Sequence, residues 1–329
     1  MMRPMSRHTS WSSPRITLTW VWLKRRLSFL NGCWYRLTVR AQKKPASYSM
    51  LTRPDNQQRR VAISVEYNGS GYRGWQTQTH DTEVIQTKIE QALSEIADER
   101  ISVTCSGRTD SGVHAGSQVC HFDTCAIRDP YNWVMGVNSQ LPDDISVAWA
   151  SEVDPAFHAR FGALSRQYVY LIKCSSLRSA LLKNIVTVTH KNLDPQLMAV
   201  AAQSLIGTYD FNAFRSAQCQ AKTSVRSVTR LSVHHHDQLI AVHAEANGFL
   251  QHMVRNIVGV LMAIGAKERP TSWVEHVLAS KDRTEGGVTA PSYGLYFLGP
   301  TYCDSYNLPN TVRIPQIARD ILRTDPLEC

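Results

Sequence analysis

Residues 225–246 read VRSVTRLSVHHHDQLIAVHAEA. Val225–His234 and Leu239–Ala246 are two β-rich runs, and only the polar His235–Gln238 separates them. Two such runs around a short polar link predict a hairpin, and therefore antiparallel pairing. Immediately downstream, Gly248–Ile264 carries dense apolar residues at helical spacing, and Thr271–Ser280 predicts a shorter helix. Upstream, Gln167–Cys174 (QYVYLIKC) alternates like a strand. Asp194-Pro195 then signals a helix start, with Asp as cap and Pro at the first helical position, and Gly207 stops that helix after Ile206.

The preceding stretch has a similar composition of elements. Arg60–Tyr67 (RVAISVEY) alternates as a strand and is broken by Asn68-Gly69-Ser70-Gly71. Apolar residues at 84, 85, 89, 92, 93 and 96 predict a helix over Thr82–Ile96, capped by Asp81 or Thr82. Ile101–Ser106 and Ser117–Phe122 read as strands around a Gly-bearing loop, Pro130–Gln140 as a helix and Ile145–Ala150 as a strand. The reading is an α+β chain of two similar halves, with mainly antiparallel mixed sheets flanked by helices, rather than a doubly wound parallel sheet. The expected segments are a basic extension over 1–58, an N-terminal α+β domain over 59–160, a C-terminal α+β domain over 161–310 and a tail over 311–329.

The chain has 329 residues, 43% of them hydrophobic and 19% charged, which excludes general disorder, collagen and coiled coil. No apolar run approaches the roughly 20 residues that span a bilayer. The net charge of +9 is unevenly placed: residues 1–60 hold 13 Lys and Arg against the single acid Asp55, whereas the remainder holds 23 against 26 acids. The basic overall balance therefore says little about nucleic acid. In the extension, Lys24-Arg25-Arg26 follows the apolar Ile16–Leu23, the reverse of a secretory signal. An organellar transit peptide shares its Arg-rich, acid-poor character. An unstructured extension, with Met50 as the true start, is the favoured expectation. Eight scattered cysteines without a C-x-x-C pair point to a reducing compartment and away from a zinc ribbon. His234-His235-His236 would be split across two faces of a strand, which disfavours a metal site.

Three features carry chemistry. Gly69-Ser70-Gly71-Tyr72-Arg73-Gly74 matches G-x-G-x-x-G, but no helix opens there to meet a pyrophosphate, so a nicotinamide or flavin oxidoreductase is only a rival reading. Gly107-Arg108-Thr109-Asp110-Ser111-Gly112-Val113-His114 places Asp110 between Arg108 and His114, two residues able to clamp a substrate. The same pattern also fits an Asx-type turn. Arg255 lies among Leu250, Met253, Val254, Ile257, Val258 and Leu261, where a charge either finds a partner or snorkels to the helix edge.

The loop GRTDSGVH closely resembles the catalytic loop of TruA-type pseudouridine synthases. The resemblance extends to Tyr67-Asn68-Gly69 with Tyr72–Gln78, to Phe157–Phe161 with Arg166–Tyr170, to Asp210-Phe211 with Phe214-Arg215, to Phe249–Gly259, and to Gly294-Leu295-Tyr296. These run in order over about 59–310. Asn68 stands where the family usually has Asp, and Ser111 where Ala is common.

The resemblance implies a pseudouridine synthase fold and a cytoplasmic isomerase that converts uridine to pseudouridine at positions 38, 39 and 40 of the tRNA anticodon stem-loop. It also implies a homodimer, with no metal, small-molecule cofactor or membrane. Asp110 would be the nucleophile, Arg255 its ion-pair partner, Arg108 the residue for base flipping or phosphate contact, and Tyr168 the residue packing on the target uracil. A single Asp without an acidic neighbour suits an isomerase better than a glycosidase, which needs two carboxyls. Candidate RNA contacts are Arg73, Arg160, Arg166, Arg215, Lys222, Arg226 and Arg230. The rival from another class is a catalytically idle RNA-binding module on the same fold.

Overall fold

The structure is a computed structural model that describes residues 58–76 and 83–323. The expectations placed on the basic extension, including the Met50 start, and on Asp81 and Thr82 lie outside the described residues.

In chain order the elements are β1 (Arg59–Tyr67), α1 (Ile85–Ala97), β2 (Thr104–Cys105), β3 (His114–Thr124), α2 (Pro130–Gln140), β4 (Ile145–Val153), β5 (Ser165–Cys174) and β6 (Thr187–Thr189). They continue with α3 (Pro195–Gln203), β7 (Gly207–Asp210), β8 (Val225–His236), β9 (Leu239–Ala246), α4 (Met253–Gly265), α5 (Trp273–Ser280), β10 (Leu295–Thr301) and α6 (Gln316–Leu322). The strands form one mixed sheet in the order β4-β1-β3-β10-β5-β9-β8-β7, with β2 on β3 and β6 on β5. Only β10–β3 and β5–β6 pair in parallel. This is the α+β architecture with a mainly antiparallel mixed sheet that the hairpin signals predict. Strand β10, late in the chain, stands between β3 and β5 and carries the sheet from the first half into the second.

Local signals explain several elements directly. The hairpin β8–β9 turns at Asp237-Gln238, with Asp237 at φ 52°, a conformation that Asp tolerates better than most residues. Asp194 caps α3 by accepting from the backbone N–H of Gln196 and Leu197, and Pro195 occupies the first turn. Asp129 and Pro130 do the same for α2.

Other elements differ from their expected bounds for tertiary reasons. Helix α1 starts at Ile85, and its N-cap, Val84, makes no side-chain cap. Carbonyls from another segment serve instead: Ile85 N–H donates to Gly74 O at 3.2 Å and Gln86 N–H to Trp75 O at 3.0 Å. Helix α4 starts at Met253 rather than near Gly248, because His252 adopts φ 63° and breaks the helical run. Strand β2 shrinks to two residues. Strand β1 alternates in sequence, yet both of its faces are covered. Val61, Ile63 and Val65 join the main core beneath the helices, while Ala62 and Val119 pack under Phe157, Ala159, Tyr302 and Tyr306. Helix α6 covers the same second face further along, against Val169, Leu171, Ala241 and Leu298. No helix of the described residues is long and apolar enough to cross a membrane.

Two buried histidines give the fold an acid limit. Burial, assisted by the positive charges of Arg60 and His158, pushes the His121 imidazole down to about 4. Burial, with Arg230 and His234, does the same for His243, also to about 4. In the unfolded chain each titrates near its ordinary value of 6.5. Above that value both states are neutral. Between 6.5 and 4 the unfolded chain binds protons that the folded chain refuses, so stability falls as pH falls. The expected loss from pH 7 to pH 5 is about 1–2 kcal/mol per histidine. Urea unfolding at the two pH values checks this, and H243Q should remove about half of the combined effect.

Candidate active site

The loop between β2 and β3 projects at the middle of the sheet and is tied down from three sides. Gln118 on β3 brackets Gly107: its Oε1 accepts from Gly107 N–H at 3.2 Å and from Ser106 Oγ at 2.6 Å, and its Nε2 donates to Gly107 O. Below the loop, buried Thr109 shares a 2.8 Å hydrogen bond with the Tyr67 hydroxyl. From the side, Trp75 N–H donates to Thr109 O at 3.1 Å, and Gly112 N–H donates to Tyr72 O at 3.2 Å. Two of the three glycines of the G-x-G-x-x-G stretch, Gly69 and Gly74, are explained by this contact. A Cβ on Gly69 would lie 1.9 Å from Val113 O, and one on Gly74, at φ 100°, would lie 2.7 Å from Thr109 O. The stretch is a strap over the loop, and α1 begins only after it.

The two departures from the resembled pattern have local roles. Asn68 Oδ1 accepts from the Ser70 N–H at 3.1 Å and from Ser70 Oγ at 2.7 Å, so it shapes the turn. Ser111 Oγ donates to Tyr72 O at 3.2 Å and adds a tie between strap and loop that alanine lacks.

Asp110 is half-buried at the apex. Its carboxylate makes no Asx-type bond; the local turn is closed by Val113 N–H donating to Asp110's backbone oxygen at 3.2 Å. Its Oδ2 instead meets Arg255 Nη1 at 3.4 Å and His252 Nε2 at 3.5 Å. Arg255 thus reaches out of its apolar helix to an acid 145 residues earlier, rather than to open solvent. Its Nε donates to Ala290 O at 2.8 Å, and its own carbonyl accepts from Ala290 N–H at 3.1 Å, which locks the side chain's root. Gly259 permits this packing, since a Cβ there would stand 1.9 Å from Val288 O. Behind it, buried Asn256 donates to Phe214 O at 2.7 Å and accepts from Thr289 Oγ1 and Arg283 Nη2.

Tyr168 on β5 is buried, with its ring 5.1 Å from Phe249, edge-on, and 4.9 Å from Phe297. Its hydroxyl lies beside Gly107, 3.9 Å from where a Cβ would stand. Burial first, and then the Asp110 charge, raise its pKa far above the usual tyrosine value, so the phenol stays protonated. Arg108 is exposed at the rim next to Asp110.

His114 has a different place from the substrate clamp that the sequence suggested. It is buried, stacked 4.6 Å from Tyr296. Its Nδ1 accepts from Gly69 N–H at 3.2 Å, which puts the proton on Nε2, facing Tyr293 O at 3.1 Å. Burial holds it below the usual histidine range, so it is a neutral buttress between strap and sheet. Among the RNA-contact candidates, Arg73, Arg160 and Lys222 are exposed, and Arg215 and Arg226 are partly so. Arg230 lies near Glu245 at 4.0 Å. Arg166 donates to the carbonyls of Ala163, Asn247, Ser106 and Arg160, tying the loop base to the segment after β4. Arg226 donates to the carbonyls of Thr223 and Val225.

His252, Gln118 and Asn256 were not singled out from the sequence. Gln118 carries no signal beyond its place on a strand. His252 sits three residues before Arg255, but its approach to Asp110 depends on the left-handed backbone at 252. Among the described residues no group of three or more His, Cys, Asp or Glu is arranged to hold a metal. His234 turns inward, whereas His235 and His236 are exposed.

The family profile described as tRNA pseudouridine synthase matches residues 63–162 and 201–302, which include the loop, the strap and the Arg255 helix. This chain belongs to that family. Curated relatives agree. The tRNA pseudouridine synthase A of Shewanella sp. (strain MR-4) is 47% identical over 261 residues, covering 79% of this chain and all of the relative. That of Pseudomonas aeruginosa is 49% identical over 250 residues, covering 76% of this chain and 88% of the relative. That of Coxiella burnetii (strain Dugway 5J108-111) is 44% identical over 250 residues, covering 76% and 95%. In a tRNA pseudouridine synthase, the loop's resemblance and the family match concern the same residues, and the loop geometry gives them a physical setting. One carboxylate, one buried phenol and one fixed guanidinium converge there.

Proposed function

We propose that this chain isomerises uridine to pseudouridine at positions 38, 39 and 40 of the tRNA anticodon stem-loop, in the cytoplasm, as a homodimer, with Asp110 as the essential carboxylate. The observation that carries the reading is the Asp110–Arg255 pair at 3.4 Å, held on a strapped loop beside Tyr168. The reaction breaks N1–C1′, turns the uracil and joins C5 to C1′. A proton leaves C5 and N1 regains one, so no electrons are exchanged. Arg255 pairs with the Asp110 carboxylate at 3.4 Å and aims it. The Tyr168 ring offers a face for the detached uracil, and its protonated hydroxyl can donate to a base oxygen. Exposed Arg108 is suited to fill the space that the flipped nucleotide leaves, or to hold its phosphate. Exposed Arg73, Arg160 and Lys222 and partly exposed Arg215 are suited to phosphate contacts.

The test is to map pseudouridine in an unmodified tRNA transcript carrying uridines at those three positions and elsewhere in the stem. Isomerisation confined to 38–40 is expected. A folded protein that binds the transcript and leaves every uridine unchanged would identify a binding module, and modification elsewhere would overturn the position assignment.

A further inference from the structure

Two nitrogen-bearing side chains approach Asp110, and both approach the same oxygen. Arg255 Nη1 lies 3.4 Å and His252 Nε2 3.5 Å from Oδ2, and among the described residues no hydrogen bond or ion pair reaches Oδ1. His252 reaches this point because it is the N-cap of α4 in a left-handed conformation, φ 63° and ψ 2°. A helical residue there would direct its ring elsewhere, and a non-glycine residue in this region costs about 1 kcal/mol or more. The imidazole is about 30% exposed and Asp110 27%, so both are open to solvent.

We propose that His252 is a positioning residue for the reaction: as a neutral donor it shares Oδ2 with Arg255 and leaves Oδ1 turned toward the nucleotide. The proposal rests on the isomerase reading above. Its physical content is an asymmetry. An ionised carboxylate only accepts, so the His252 Nε2 facing it carries the hydrogen. With Oδ2 turned toward both side chains, Oδ1 is the oxygen left to react and its direction is set. Protonating His252 would put a second positive charge beside Arg255 and draw electron density from the carboxylate, which weakens it as a nucleophile. The charged groups facing His252 are Asp110 on the loop, Arg255 one turn along its own helix, and Arg283 in the segment after α5. Burial, Arg255 and Arg283 favour the neutral ring against the pull of Asp110, and the net effect places its titration below the usual histidine value. Turnover should therefore hold at neutral pH and fall as pH drops through that titration.

The experiment compares wild type, H252Q and H252A in pseudouridine formation from pH 5 to 8, alongside tRNA binding. H252Q, which retains an amide donor, should keep kcat within about threefold at pH 7.5 and lose the acid inflection. H252A should lower kcat about 10-fold or more while changing KM less than about twofold. Equal acid inflections in wild type and H252Q would overturn the proposal. So would an H252A that alters KM alone, which would mark a tRNA contact instead. A readout free of turnover is the His252 imidazole titration followed by NMR. In D110N it should move to lower pH, because the carboxylate that raises it is gone. An unchanged titration would show that the two groups do not interact, whatever the enzyme does. If wild type titrates as expected yet makes no pseudouridine, the isomerase reading fails and the positioning role goes with it.

Discussion

Replacing Asp110 by Asn is expected to lower pseudouridine formation by at least ~10³-fold while leaving tRNA affinity within about threefold. Affinity should survive because it is set by phosphate contacts spread over the rim rather than by one carboxylate. The fold should survive because the loop is held by Gln118, by the Thr109–Tyr67 bond and by the strap, none of which uses the Asp110 side chain. Arg255 also retains its bond to Ala290 O. Single-turnover kinetics together with a filter-binding titration check both halves. A D110N protein that still turns over within tenfold of wild type would move the chemistry to another residue.

The second large effect is structural and lies outside the reacting atoms. G69A should destabilise the protein by about 2–3 kcal/mol and cut activity by ~10²-fold. The added methyl would meet Val113 O at 1.9 Å and Val113 C at 2.6 Å, both backbone atoms that cannot step aside. Either the strap or the loop must shift, and the loop carries Asp110. G71A, two residues along the same turn, is the control. Nothing lies within 4 Å of a Cβ there, so stability and turnover should stay near wild type. Chemical unfolding and turnover of the two variants decide the matter. Equal behaviour would mean that the strap does not hold the loop.

The contrast between these two glycines also shows what the sequence made legible. Elements built from local signals were readable: the Asp129-Pro130 and Asp194-Pro195 helix starts, and the β8–β9 hairpin with its polar turn. Features that depend on remote partners were less so. The G-x-G-x-x-G stretch showed that no helix followed it, but only the folded chain shows Val113 and Thr109 pressed against it. The break at His252 left the apolar periodicity of 248–264 intact, so the late start of α4 had no signal in that pattern. The alternation in β1 does not reveal that the segments carrying Phe157 and Tyr302 cover its second face from far along the chain.

The candidate site shows the same division. Arg255 stood out because a charge in an apolar helix calls for a partner, yet only the resemblance named Asp110 as that partner. His114 stood beside Asp110 as a residue able to clamp a substrate, and burial against Tyr296 with both ring nitrogens engaged makes it a structural member instead. Sequence proximity to Asp110 was misleading for His114 and uninformative for His252, which comes from the other half of the sheet.

The most direct measurement follows the hydrogen on C5 of the target uridine. A tRNA transcript with tritium at C5 of its uridines should release tritium to water when incubated with the wild-type protein, because C5 gives up its hydrogen when it takes the place of N1 on the ribose. The amount released should match the uridines present at positions 38–40, and D110N should release none above background. Release by D110N at the wild-type rate, or no release by a wild-type protein that binds the transcript, would contradict the account.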